Sequence, residues 1–125
     1  MLKGVWVGLG GFLGASARYY LGGWLNDLSP GSLFPYETLV INVSGCLGIG
    51  LLAGLAELRG LFSPELRLFL MVGILGGFTT FSTFGYETFQ LMRDGEVMAA
   101  SLNVVLQVVL GLAGVWAGYA LARLA

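Results

Sequence analysis

Long apolar stretches alternate with short polar segments along the chain, and each apolar stretch has the length that a membrane requires. Four such stretches are present, at residues 5–24, 38–55, 66–92 and 99–121. A helix rises about 1.5 Å per residue, so about 20 residues cross a hydrocarbon core of about 30 Å. The pattern therefore predicts an all-α integral membrane protein, with residues 1–125 as one domain of four transmembrane helices.

The segments between the stretches are rich in turn residues and charges. Residues 26–35 include two prolines and a glycine, and residues 93–96 carry three charges beside a glycine. Before the third stretch, Ser63 is followed by Pro64 and Glu65, a sequence typical of the first turn of a helix. We therefore expect short loops and no separate soluble domain.

Composition agrees with a membrane protein and excludes several functions. Hydrophobic residues make up 57% of the chain and charged residues 10%, whereas soluble domains carry about 25% charged residues. A net charge of −1 gives no basis for a nucleic-acid partner. The absence of histidine removes the usual proton shuttle, and the single cysteine, Cys46, is expected only to pack. No nucleophile–base pair or metal cluster can be assembled, so an enzyme is not expected.

The third stretch contains the sequence GGFTTFSTF at residues 76–84, where a continuous apolar helix would be expected. Gly76 and Gly77 are predicted to break the helix. Residues 66–75 would cover about 15 Å, so the break would lie near the middle of the membrane. The first half-helix would end there with free carbonyl groups, which are good ligands for a small cation.

Hydroxyl residues follow the two glycines, and Thr79, Thr80 and Ser82 could cap the second half-helix. An alternative is a glycine kink that only lets two helices approach. That alternative does not explain the four hydroxyl residues that follow the glycines, namely Thr79, Thr80, Ser82 and Thr83. Since a broken helix survives in lipid only when it is buried in protein or lines a cavity, we favour a functional break.

Polar residues inside the other stretches are further candidates for function, because such residues are costly in lipid. Asn42 lies in the second stretch. Asn103 and Gln107 are four residues apart in the fourth stretch, so they share one helical face with Gly111. Interhelical hydrogen bonding and pore lining are both consistent with this face.

Two charged residues lie within the stretches. Arg18 is near the end of the first stretch, where its side chain is expected to extend to the membrane interface rather than to be buried. Glu87 lies two turns beyond the predicted break, and its role stays open.

Phe81 and Phe84 share a face of the second half-helix, and Phe78 precedes them at the same spacing. An aromatic ring has a positive edge, so ring edges could line a path for an anion while repelling cations. A small, strongly hydrated anion would also need hydrogen-bond donors, which Asn, Ser and Thr side chains supply without binding too tightly.

Glycines recur at four-residue spacing and predict surfaces for close helix packing. The pairs are Gly4 and Gly8, Gly10 and Gly14, Gly50 and Gly54, Gly73 and Gly77, and Gly114 and Gly118. Four short helices enclose little interior, so a pore is expected to need a second copy of the chain in a symmetric dimer.

The basic residues give only a weak bias for membrane orientation. One side would carry four of them and the other two, namely Lys3, Arg59, Arg67 and Arg123 against Arg93 and Arg18. Since Lys and Arg in short loops set orientation, we expect both orientations to be inserted. The expected assembly is a dual-topology antiparallel dimer about a two-fold axis in the membrane plane.

The sequence GGFTTFSTF, together with GGFLGASARYYL at residues 10–21 and LVINVSGCLGIG at residues 39–50, resembles the Fluc/CrcB fluoride-channel family over essentially the whole chain. The resemblance implies passive fluoride export across the cell (inner) membrane. It also implies an antiparallel homodimer with two fluoride pathways and a structural Na⁺ at its centre.

The resemblance assigns roles to individual residues. The Na⁺ would be held by the main-chain carbonyls of Gly76 and Thr79, and Arg18 matches the arginine of the first helix. The residues that match the fluoride path are Asn42, Phe81, Ser82, Thr83 and Phe84.

Two places depart from the family pattern. Asn103 and Gln107 stand where a Tyr and a Ser are usual in the fourth helix, and both keep a hydrogen-bond donor. Glu37 and Thr38 begin the second helix where Gly-Thr is usual.

Three other functions are weighed against a fluoride channel. A small four-helix proton-coupled multidrug exporter shares the size, but it needs an embedded carboxylate, and the first stretch has none. A heterodimer subunit with a partly degenerate pore is a second alternative. A structural or assembly subunit would leave the polar break without a purpose.

Overall fold

The computed structural model describes residues 2–125, which form helices joined by short turns and contain no strand. The helices are α1 (Leu2–Leu28), α2 (Tyr36–Arg59), α3 (Pro64–Arg67), the π-helix π1 (Leu68–Leu75), α4 (Gly76–Phe78), α5 (Phe81–Arg93) and α6 (Val97–Leu124). The predicted all-α fold is confirmed. We call α3, π1 and α4 together the first half-helix and α5 the second half-helix.

Three helical segments are long and apolar enough to cross a membrane, judged by length and composition: Tyr36–Arg59, Pro64–Arg93 and Val97–Leu124. The helix α1 has 27 residues but is not one of the three. It is less apolar because tyrosines, Arg18 and the polar residues near its end interrupt it. The four-span layout therefore stays a prediction.

Helix α1 packs closely against the first half-helix through glycines. A Cβ atom added at Gly73 would lie 2.8 Å from the Cα of Gly10, and one added at Gly77 would lie 2.7 Å from the carbonyl oxygen of Gly11. Gly14 meets the backbone of Ile74 in the same way. Any side chain at these positions would force the two helices apart.

A second glycine contact joins α2 to α6. Gly50 lies against the backbone of Val115, and Gly118 lies against that of Leu47. The GxxxG spacing thus marks real packing surfaces in both helix pairs. By contrast, Gly4 and Gly8 have no atom of the described chain within 4 Å of an added Cβ.

The helix break lies three residues beyond the position predicted for it. Gly76 is helical, with φ −62° and ψ −37°, and Leu75 O accepts a hydrogen bond from Thr79 N at 3.0 Å. The backbone becomes extended only at Thr79 (φ −83°, ψ 159°) and Thr80 (φ −148°, ψ 119°). The prediction that Gly76 and Gly77 end the helix is therefore wrong, because Gly77 serves the close approach to α1 instead.

The N-caps of α3 and α5 agree in part with those predicted from the sequence. Ser63 Oγ accepts a hydrogen bond from Leu66 N at 3.2 Å, as the start signal predicted. Thr80 caps α5 by accepting from Thr83 N at 3.2 Å. Thr79 does not cap α5, since its hydroxyl donates back to Leu75 O at 3.0 Å.

The eight-residue π1 was not predicted; helices of this kind are rare and are often found at functional sites.

Candidate functional site

Asn42 of α2 reaches across to the helix break and pairs with the backbone of Thr80. Its Nδ2 donates to Thr80 O at 3.0 Å, and Thr80 N donates to its Oδ1 at 2.8 Å. Extended backbone inside a membrane must find partners in the protein. The Asn42 amide supplies both partners at Thr80.

The break releases the carbonyl groups of residues 76–79 from helical pairing. In a continuous helix, Thr80 N would donate to the carbonyl of Gly76, and Thr83 N to the carbonyl of Thr79. These donors bond instead to Asn42 Oδ1 and Thr80 Oγ1. The two carbonyls predicted to bind a cation are therefore among the four that lose their helical donors at the break.

A ladder of amide and hydroxyl groups continues from Asn42 along α6. Asn42 Nδ2 also donates to Gln107 Oε1 at 3.1 Å, and Gln107 Nε2 lies 3.5 Å from Asn103 Oδ1. Asn103 Nδ2 donates to Thr88 Oγ1 at 3.0 Å, and Thr88 Oγ1 donates to Phe84 O at 2.8 Å. This amide ladder ties α2, α5 and α6 together beside the break.

Asn103 and Gln107, on the polar face of α6, differ in how far their amides are used within the chain. This difference bears on the two alternatives for that face, interhelical hydrogen bonding and pore lining. Asn103 is fully buried, and its Nδ2 is bonded to Thr88 within the chain. Gln107 is only half-buried, and it keeps a second Nε2 hydrogen beyond the one directed at Asn103. Asn42, in contrast, uses both of its amide hydrogens within the chain.

A cavity of about 360 Å³ lies beside the break. It is lined by Asn42, Gly45, Cys46, Ile49, Met71, Leu75, Gly76, Thr79, Thr80, Phe81, Phe84, Gln107 and Val108. None of these described residues is charged. The cavity thus combines apolar walls with a few neutral polar groups, as is usual for a site that binds a small ligand.

Phe81 and Phe84 meet edge to face at this cavity, with ring centroids 5.5 Å apart and planes at 61°. Phe81 is 83% exposed, so its ring extends away from the rest of the chain. Phe78 is turned elsewhere and lies near Gly45 of α2. The aromatic pair is therefore Phe81 and Phe84 without Phe78.

Two hydroxyl residues assigned by resemblance lie outside this cavity. Thr83 is half-buried, and its Oγ1 accepts a hydrogen bond from Thr80 Oγ1 at 3.0 Å. Ser82 is exposed in the first turn of α5. Neither residue lines the cavity of Asn42 and Gln107.

Arg18 is directed toward the break rather than toward the membrane interface. It is half-buried, and its Nε donates to the carbonyl of Gly77 at 3.2 Å. A cation near the carboxyl end of a helix is favoured by the helix dipole. The expectation that Arg18 extends to the interface is therefore corrected.

One polar pair was missed by the sequence reasoning. Thr38 is buried, and its Oγ1 donates to Glu87 Oε1 at 2.6 Å. The other oxygen, Glu87 Oε2, is buried without a hydrogen-bond partner among residues 2–125. A carboxylate within an apolar stretch was the available signal, because such residues are rarely without function in membranes.

Comparison with known proteins gives consistent results. A family model described as "CrcB-like protein, Camphor Resistance (CrcB)" matches residues 5–119. The chain is 53% identical over 113 residues to "Fluoride-specific ion channel FluC" of Geobacter sulfurreducens, covering 90% of each chain. It is 47% identical over 119 residues to the protein of the same name from Geotalea daltonii, covering 95% of each. A "Fluoride-specific ion channel FluC 3" of Methanosarcina barkeri is 47% identical over 90% of this chain and 83% of its own.

Proposed function

This chain belongs to the CrcB-like family, and we propose that it is a passive, fluoride-selective channel that exports fluoride across the cytoplasmic membrane. The observation that carries the proposal is the uncharged cavity at the helix break, which Gln107, Phe81 and Phe84 line together. The names of the relatives and the apolar helices of a multi-pass membrane protein support it.

The chemistry of this cavity suits a small anion that must pass through rather than stay. Fluoride would exchange part of its water for the free N–H of Gln107 and for the positive ring edges of Phe81 and Phe84. No fixed cation lines the cavity, so the anion would not be trapped. Cations would meet the same positive edges and be disfavoured.

The working unit that we propose is an antiparallel homodimer with two fluoride pathways. The ring of Phe81 is 83% exposed beside a polar break, and a second copy would cover it. An in-plane two-fold axis would bring two breaks together while leaving both membrane faces alike. Accessibility of tags at the C-terminus tests this, since an antiparallel dimer requires tags on both sides of the membrane.

A structural Na⁺ fits the centre of such a dimer. The carbonyls of Gly76 and Thr79 have lost their helical donors, as described above. Two chains would supply four carbonyl oxygens, which suit a hard cation. The ion would neutralise the ends of the two first half-helices and so stabilise the assembly.

Fluoride efflux from liposomes that contain only this protein tests the function. We expect passive efflux that greatly exceeds chloride efflux and needs no proton gradient. Equal fluxes of the two halides, or transport only under a proton gradient, would contradict the proposal and favour an exporter. Efflux that requires a second, different subunit would point to a heterodimer.

A further inference from the structure

A second, larger cavity of about 780 Å³ lies where α1 ends and α2 begins. Its lining contains three charged side chains, Arg18, Asp27 and Glu37, together with aromatic residues of α1. Arg18 connects this cavity to the helix break, because its Nε donates to the carbonyl of Gly77. We call this cavity the mouth, because Arg18 reaches from its lining to the break beside which the proposed fluoride path lies.

The carboxylate of Glu37 has a defined place in this mouth. Glu37 is exposed in the first turn of α2, and its side chain lies across the buried Gly22 of α1. A Cβ atom added at Gly22 would lie 2.5 Å from Glu37 Oε1, so the carboxylate rests directly against the backbone of α1 there. An acidic residue in a first helical turn is generally favoured. That preference does not explain its position against α1 in the mouth.

The positive charge of Arg18 is not cancelled by a direct ion pair. Within residues 2–125, the one ion pair closer than 4.0 Å joins Arg93 to Asp94, neither of which lines this mouth. One arginine, Arg18, and the two carboxylates thus give the mouth a formal charge of −1. Beyond Glu37, the next residue, Thr38, holds a further carboxylate, Glu87. An approaching anion would meet repulsion here.

We propose that Glu37 limits fluoride access at this mouth and is thereby a rate-determining electrostatic residue of the channel. The inference rests on the proposed function. Charges that line a cleft change the local concentration of a charged substrate, and the effect is screened by salt. The Debye length is about 30 Å at 0.01 M and about 3 Å at 1 M ionic strength, so the repulsion should disappear at high salt.

The test compares wild type with Glu37→Gln, which keeps the size of the side chain and removes its charge. Fluoride efflux from liposomes is measured at about 0.01 M and about 1 M ionic strength. We expect Glu37→Gln to raise efflux by about twofold to fivefold at low ionic strength, and to leave it unchanged at high ionic strength. Elution of both proteins at the same volume in size exclusion shows that folding and assembly are equal.

Glu96→Gln is the matched control. Glu96 is also exposed, and it lies at the same end of the helix bundle, just before α6, but outside this mouth. Its replacement should not change efflux at either ionic strength. If Glu37→Gln equals wild type at low ionic strength, or if Glu96→Gln raises efflux equally, the role of Glu37 is refuted. Lack of efflux from wild-type liposomes would instead refute the proposed function itself.

Discussion

Asn42 and Thr80, which are 38 residues apart in the chain, pair in both directions through the Asn42 amide and the Thr80 backbone. The two distances, 3.0 Å and 2.8 Å, are those of good hydrogen bonds. The pairing replaces the helical bond that Thr80 N loses at the break, and it adds a second bond at Thr80 O, which also accepts the first bond of α5. It also engages the whole Asn42 amide, so Asn42 acts chiefly by holding the break in place.

Replacing Asn42 with Ala should destabilise the protein by about 2 kcal/mol, because the N–H of Thr80 would lose its partner and the C=O of Thr80 would lose one of its two. Thermal unfolding in detergent measures this loss. Asn42→Asp should be intermediate, since a carboxylate still accepts from Thr80 N but cannot donate to Thr80 O. Equal stability of the Ala variant and wild type would show that the pairing contributes nothing.

Replacing Phe81 or Phe84 with Ile should lower fluoride efflux by about tenfold, which corresponds to about 1.4 kcal/mol in the barrier. Ile keeps most of the apolar volume but removes the positive ring edge. Stopped-flow or electrode recordings of liposome efflux measure the change. Phe89→Ile is the control, because Phe89 is on the same helix but does not line the cavity. Unchanged efflux in both test variants would mean that the rings only pack.

Replacing Gln107 with Glu should abolish most fluoride efflux while the protein still folds. A glutamate oxygen can still accept a hydrogen bond from Asn42 Nδ2, so the contact that helps to hold Asn42 in place is kept. The variant lacks the amide N–H and places a negative charge in the cavity, and both changes oppose an anion. Efflux and thermal unfolding are measured on the same preparation. Normal efflux from the Glu variant would remove Gln107 from the path.

Gly77→Ala should destabilise the chain by about 1–3 kcal/mol, because its new methyl group would lie 2.7 Å from Gly11 O and force α1 away from the first half-helix. Gly23→Ala is the matched control. Gly23 is also in a helix, but nothing lies within 4 Å of an added Cβ, so alanine should be neutral or slightly stabilising. The two midpoints of thermal unfolding decide the matter, and equal midpoints would contradict the packing argument.

A high-resolution map of the purified protein should show one ion on the symmetry axis, coordinated by the carbonyl oxygens of Gly76 and Thr79 from both chains. Carbonyl oxygens freed from helical bonds at mid-membrane need a partner, and a cation supplies it. Purification with Na⁺ replaced by a large organic cation should lower the unfolding temperature. A map without density at this position would remove the Na⁺ from the proposal.

Several features could be predicted from the sequence because they depend on local composition and spacing. Apolar stretches of sufficient length predicted the helical fold, and Ser63 before Pro64 predicted the start of α3. The glycine spacing predicted that Gly10, Gly73 and Gly118 lie on packing surfaces, but it did not reveal which helices pair.

The tertiary structure alone decided the position of the break and the partners of its polar groups. Local propensity indicated Gly76 and Gly77, yet the extended residues are Thr79 and Thr80. The Asn42 amide supplies the bonds that hold the backbone of Thr80 in its extended form. Asn42 is far from Thr80 in the chain, and Thr38 is likewise far from its partner Glu87. Sequence spacing cannot identify these contacts, because the packing of whole helices brings the groups together.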